Sequence, residues 1–186
     1  LDNVPKNIIV VLDEAYDEYL DEDIKSEAFG WISEYKNLLV SRSFSKAYGL
    51  AGMRLGYGVS SSNLIEVMNR IRQPFNVNNL AQIAAIASLD DDDFIFKSKR
   101  INNLGMKQIT TAFSGLGIDF IESYGNFIAF KFEDELAAMM YYQHLLKNGI
   151  IIRPIANYKM PEFLRVSIGL ELENDKFIKI LSNCNI

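Results

Sequence analysis

The chain has a single cysteine, Cys184, in 186 residues, so it holds neither a disulfide framework nor a cysteine-built metal site. A reducing, cytoplasmic setting fits that usage. Histidine is equally scarce. Any serine–histidine–aspartate relay would have to be built on His144, whose run from Met139 to Lys147 reads as an amphipathic helix, and this makes it a surface or rim residue instead. No apolar stretch reaches the roughly 18 residues of a membrane-spanning helix, and no signal-peptide pattern opens the chain, so neither a span nor export by that route is expected. Lysines and arginines do not cluster. With a formal net charge of −5 the chain offers no track for a phosphate backbone, and nucleic acid is not an expected partner. Small anions stay open, because one or two placed arginines suffice to catch them.

What is present is apolar material for a core: 49% of the residues are hydrophobic and 23% charged, the balance of one large domain or two small ones. Ile8 to Leu12 is a continuous apolar run ending in Asp13, the pattern of a parallel strand covered on both faces, and Leu38 to Ser41 repeats it. An acidic stretch (Asp17 to Asp23) and a segment through Trp31 and Tyr35 that reads as a crossover helix lie between them. Ligands in such sheets gather beyond the carboxyl ends of the strands, so the chemistry is expected just after residues 12 and 41. Leu55 to Val59 reads as a third strand, followed by helices from Asn63 to Arg72 and Leu80 to Ser88. Asp90 to Asp93 offers carboxylates that cannot share one helix face; they read as a solvated junction capping the next helix rather than as a metal site. That helix runs from Phe94 to Leu116 and breaks at Gly115 and Gly117. Strands at Asp119 to Ser123, Phe127 to Phe132, Ile150 to Arg153 and Phe163 to Ile168 follow, with helices over Glu133 to Asn148 and from Asn174. The change of grammar predicts two domains, residues 1–93 and a small α+β domain, residues 94–186.

The densest polar cluster follows the second strand: Ser41, Arg42, Ser43, Ser45 and Lys46, then Gly49, Gly52 and Arg54. The serine hydroxyls and Arg54 suit a phosphate, since a guanidinium is always charged and forks onto two oxygens. Lys46 suits a carbonyl carbon, because a desolvated amine loses its proton and attacks. An ordinary surface turn explains the same composition. Asp13 weighs against that, because a carboxylate at the end of a buried strand needs a cationic partner, such as a pyridinium nitrogen, or a helix to cap. Tyr16, three residues on, can turn its hydroxyl to the same place. Further along, Arg165 interrupts the apolar strand FLRVSI and Arg153 closes the run Ile150 to Ile152. From neighbouring strands they would clamp a carboxylate or phosphate, or else pair internally with Glu162 or Glu171.

The segments VVLDEAYDEY, SRSFSKAYGLAGMRLGYGV, RQPFNVNNLAQ, SYGNFIAF, IIIRPI and EFLRVSIG stand in an order and spacing that resembles the fold-type I pyridoxal-phosphate (PLP) aminotransferases of class I/II. The resemblance runs from about residue 7 to residue 170, and within the superfamily it is strongest to the histidinol-phosphate aminotransferase family. It implies an α/β fold: part of a PLP-binding large domain with a parallel-rich sheet, then a C-terminal α+β small domain. It implies an enzyme that moves an amino group between histidinol phosphate and 2-oxoglutarate in histidine biosynthesis. Lys46 matches the lysine that forms the Schiff base to PLP and then shuttles a proton. Asp13 matches the carboxylate that keeps the pyridine nitrogen protonated, and Tyr16 the donor to the ring O3′. Ser43, Ser45 and Arg54 match the phosphate cradle. Arg153 and Arg165 match substrate-anion residues, with Asn126 orienting Arg165. A homodimer, in which a neighbouring tyrosine enters each site, is the family's habit.

The opening residues LDNVPKNIIVV correspond to the middle of the family's large domain. The P-N-N-P-T-G-like stretch, the small-residue phosphate loop and the stacking aromatic of the family have no counterpart in this sequence. The chain therefore reads as a C-terminal half, whose strands would leave exposed edges that drive self-association and whose isolated form would bind PLP weakly or not at all. An aromatic amino acid aminotransferase and a threonine-phosphate decarboxylase would keep the same cofactor residues. A non-catalytic folding or dimerisation module is the reading of a different class.

Overall fold

The structure is a computed structural model, and it describes residues 1–184. Its chain divides into two compact units, Leu1–Ser98 and Lys99–Ile186, so the first turns of the long helix that begins at Asp92 stay with the first unit.

The first unit is built on a three-stranded sheet in the order β1 (Val10–Asp13), β2 (Leu38–Ser43), β3 (Gly56–Ser60). β1 and β2 run parallel, with Asp13 opposite Ser41, whereas β3 is antiparallel to β2, with Gly56 opposite Ser43. Parallel pairing is thus confined to β1 and β2. Leu38 and Val40 on β2 are fully buried with Ala28 and Ile32, and each such side chain contributes roughly 1.5–3 kcal/mol by leaving water. β1 departs from the expectation of a strand covered on both faces: Val11 is 59% exposed. The physical reason is that β1 lies at the sheet edge, and the expected crossover helix shrinks to a single turn, α1 (Ala28–Trp31), which covers one face only. Gly56 is required by close approach, because a Cβ there would stand 2.7 Å from the Arg42 carbonyl oxygen. α2 (Ser62–Ile71) and α3 (Asn79–Leu89) follow, the latter capped by Asn78, whose side chain accepts from the Ala81 amide at 2.8 Å.

α4 (Asp92–Leu116) is capped at its start by Asp91, which accepts the Phe94 amide at 3.0 Å. The acidic run is therefore a helix start, and among the described residues no carboxylate, histidine or cysteine cluster is arranged for a metal. The helix continues through Gly115 and stops at Gly117, whose φ of +68° is the left-handed turn that ends it.

The second unit is an antiparallel sheet in the order β4 (Phe120–Ile121), β5 (Phe127–Lys131), β7 (Phe163–Ser167), β6 (Arg153–Pro154), packed with α5 (Glu135–Lys147) and α6 (Glu171–Ser182). Ile109 and Phe113 of α4 meet Phe130 and Leu164 of the sheet and Phe177 of α6 in its core, with the Phe113 and Phe130 ring centroids 4.7 Å apart. The expected strand from Ile150 begins late, at Arg153, because the chain first completes the end of α5: Gly149 takes φ +77° and the Ile150 amide donates to the Leu145 carbonyl. α6 begins three residues before the expected Asn174, since Glu173 reaches back to accept the Leu170 amide at 2.8 Å. His144 is half-buried on α5, and burial raises the pKa of the Cys184 thiol. Among the described residues no helix is long and apolar enough to cross a membrane.

Candidate active site

Three strand ends meet at one edge of the first unit's sheet. β1 and β2 deliver their carboxyl ends there, and β3 begins there, so Asp13, the residues after Ser43 and the residues before Gly56 are gathered by the pairing itself. Asp13 accepts the Ser41 hydroxyl at 3.1 Å and the Ala15 amide at 3.2 Å through one carboxylate oxygen, Oδ1. Among the described residues it pairs with no cation. Asp13 is exposed at the strand end, so the burial that made the sequence pattern require a cationic partner does not hold for it in this chain.

Lys46 stands in the loop that leaves β2, and the loop is fixed from both sides. Phe44 and Ala47 are buried, the Phe44 ring packing 5.0 Å from that of Tyr48 and 5.9 Å from that of Tyr57. Backbone bonds close the loop, Phe44 donating to Leu55 at 3.2 Å, Leu50 to Phe44 and Gly49 to Lys46, both at 2.9 Å. With its neighbours anchored, Lys46 sends its Nζ to 5.3 Å from the Tyr16 ring centroid, and no carboxylate among the described residues forms an ion pair with it. Gly49 holds φ +69°, and a Cβ there would stand 3.4 Å from the Phe94 ring.

Ser43 closes β2 and its hydroxyl oxygen accepts the Ser45 amide at 3.0 Å. Arg54 follows a 3-10 turn (Ala51–Met53), holds the left-handed conformation at φ 57° and donates to the Ala51 carbonyl at 2.8 Å. A non-glycine residue in that region is uncommon, and Phe75 and Lys159 share it. The residue types fit a phosphate-bearing cofactor: Ser43 and Ser45 carry hydroxyls beside the Lys46 loop, and Arg54 presents an exposed guanidinium that forms no ion pair among the described residues.

Sequence reasoning missed what holds this edge together. Glu14 and Asp17 are buried, and both bind Arg42, a residue the sequence offered only as one member of a polar run. Burial raises the Asp17 carboxyl above its ordinary value, with Arg42 opposing and Glu14 adding to the rise. The parallel register that sets Asp13 against Ser41 carries Glu14 toward Arg42, so a strand-end pair of opposite charges was the available signal. A cavity of about 540 Å³ at the sheet's other end, lined by Tyr35, Lys36, Asn37 and Ser61, holds none of these residues.

In the second unit Arg165 and Arg153 are direct cross-strand partners on β7 and β6. Leu164 and Val166 are buried while Arg165 turns to the other face, as the alternation predicts. Arg165 lies 4.6 Å from the Phe127 ring centroid and Arg153 lies 5.9 Å from that of Tyr158. The internal pairs with Glu162 and Glu171 do not form. The Asn126 carbonyl accepts the Ile168 amide at 2.9 Å, which joins its segment to the end of β7.

Residues 1–181 match the family model for "Aminotransferase class I and II". The chain is 54% identical over 181 residues to a histidinol-phosphate aminotransferase of Methylobacillus flagellatus, covering 97% of this chain and 48% of that protein. Histidinol-phosphate aminotransferase 2 of Pseudomonas aeruginosa is 51% identical, with the same coverage. Among solved structures, histidinol-phosphate aminotransferase from Sinorhizobium meliloti in complex with pyridoxal-5'-phosphate is similar with a TM-score of 0.85 at 28% identity, over 96% of this chain and 50% of that one. The chain spans about half the length of the curated relatives it matches.

Proposed function

Because the chain belongs to the class I and II aminotransferases, we propose that it carries the lysine-bearing part of a PLP-dependent transaminase that moves an amino group between histidinol phosphate and 2-oxoglutarate. The observation that supports this most is the register that brings the ends of β1 and β2 and the start of β3 together, with Lys46 Nζ 5.3 Å from the Tyr16 ring centroid. When bound, PLP supplies an electron sink for charge developing at the substrate carbon. The residues do the rest. Lys46 would hold the cofactor's aldehyde carbon until the substrate amine displaced it, and its freed amine would then carry the proton to and from the substrate Cα. Asp13 holds a proton on the pyridine nitrogen, its own orientation set by the Ser41 hydroxyl and the Ala15 amide. Tyr16 donates to the ring oxygen, while Ser43, Ser45 and Arg54 bind the phosphate.

Arg153 and Arg165 take the substrate's anionic group. A homodimer in the cytoplasm, with a neighbouring chain's tyrosine reaching each site, is the assembly we assign to the whole protein. Purified protein in its full natural length should use imidazole-acetol phosphate as amino acceptor, with glutamate as donor. Transfer only to aromatic 2-oxo acids, or carbon dioxide release from threonine phosphate, would replace the substrate while keeping the cofactor residues.

A further inference from the structure

We infer that Arg42 is a positioning residue whose single guanidinium holds the turn bearing Asp13 and Tyr16 in register with the loop bearing Lys46. The inference rests on the cofactor reading above and deepens it. Arg42 donates from Nε and Nη2 to the Glu14 oxygen Oε2, at 3.1 and 2.8 Å, and forms an ion pair from Nη2 to the Asp17 oxygen Oδ2 at 2.9 Å. The other Glu14 oxygen accepts the Ser26 hydroxyl, and the guanidinium lies 4.4 Å from the Phe29 ring centroid. The Glu14 and Asp17 side chains are only 7% and 6% exposed, and that of Arg42 20%.

The position of this network gives it a functional sense. Glu14 directly follows Asp13, and Glu14 and Asp17 bracket Tyr16, so one cation fixes both ends of the short turn that bears two cofactor-binding side chains. Arg42 stands on β2 between Ser41, which bonds Asp13, and Ser43, which opens the Lys46 loop. The two sides of the site are therefore tied through a side chain that lies outside the cofactor-contact set. A guanidinium suits this because its planar fork is pre-organised toward both carboxylates, whereas a lysine ammonium would have to be held there on a flexible stem.

The test uses the protein in its full natural length with added PLP. Arg42→Lys keeps the charge and removes the fork; Asp17→Asn keeps the shape and loosens one arm, and decides the matter if the first variant fails to fold. The readouts are the cofactor dissociation constant, the visible circular dichroism per unit absorbance, which reports cofactor orientation, and amide exchange in residues 13–19 without cofactor. The clamp predicts a dissociation constant raised about tenfold, an altered dichroism and faster exchange in that turn. A folded variant that unfolds at lower temperature yet keeps the parent's dissociation constant and dichroism overturns the inference and leaves the cofactor reading standing. If the parent itself shows no visible band with PLP, the cofactor reading fails and takes the inference with it.

Discussion

Arg153→Gln should separate binding from stability. In the paired strands β6 and β7, Arg153 faces Arg165 directly, and like charges placed so are destabilising by a few tenths of a kcal/mol to about 1 kcal/mol. Two guanidinium charges about 6 Å apart in a water-like dielectric would repel by about 0.7 kcal/mol, and the exposure of Arg153 sets that as an upper value. No carboxylate among the described residues offsets it. Neutralising Arg153 should therefore leave the second unit as stable as before, or more stable by a few tenths of a kcal/mol, with the gain shrinking as salt rises. Substrate binding should move the other way. A lost hydrogen bond to a charged group costs about 1.5–3 kcal/mol, so on the proposed reading the KM of the full-length protein for histidinol phosphate should rise roughly 10- to 100-fold. Parallel thermal unfolding and steady-state kinetics, with histidinol phosphate and unphosphorylated histidinol as substrates, read both effects. Equal losses for the two substrates, or a markedly less stable variant, would refute the clamp.

Gly105→Ala should destabilise the second unit by about 1–2 kcal/mol, the upper part of the overpacking range less the roughly 1 kcal/mol that alanine regains in a helix. Its Cβ would stand 2.5 Å from Ile168 Cγ2 and 2.7 Å from Asn174 Nδ2, the amide that bonds Gln108 and Gly169; a urea midpoint at or above the parent's would contradict this. Phe113→Ala, at the centre of the aromatic core, should cost about 3–5 kcal/mol, checked by the same titration. Burial raises the Glu18 carboxyl above its ordinary 4.5, and its Oε2 is buried without a hydrogen-bond partner. Folding therefore binds this proton more tightly, and the stability it contributes is present below pH 4.5 and lost as pH rises through the folded value. Glu18→Gln should raise stability at pH 7 and flatten that slope in thermal unfolding scans across pH 4–8; an unchanged slope would remove the burial argument.

Strands and helices were legible where one period dominates. FLRVSI alternates cleanly, and its buried Leu164 and Val166 follow the pattern because sheet partners cover one face only. The run Ile8 to Leu12 misled, because an apolar run reports what a strand prefers and not what covers it; at the sheet edge Val11 stays exposed. The antiparallel direction of β3 was illegible, since it depends on how the loop around Gly49 and Arg54 turns back. Asp13, Lys46 and Arg54 were legible as polar residue types close to strand termini, Asp13 closing β1, Lys46 following β2 and Arg54 preceding β3. Their supports were not: Ser41, Phe44, Ala47 and the Arg42 clamp act through register and burial, which pairing alone determines.

The central claim is that the amine of Lys46 holds the cofactor. Incubating the protein in its full natural length with PLP, reducing it with borohydride and sequencing the peptides by mass spectrometry tests this directly. The account predicts the added pyridoxyl mass on the peptide containing Ser45, Lys46 and Ala47, and its loss in Lys46→Ala. A modification on another lysine, or an equal yield in that variant, would contradict it.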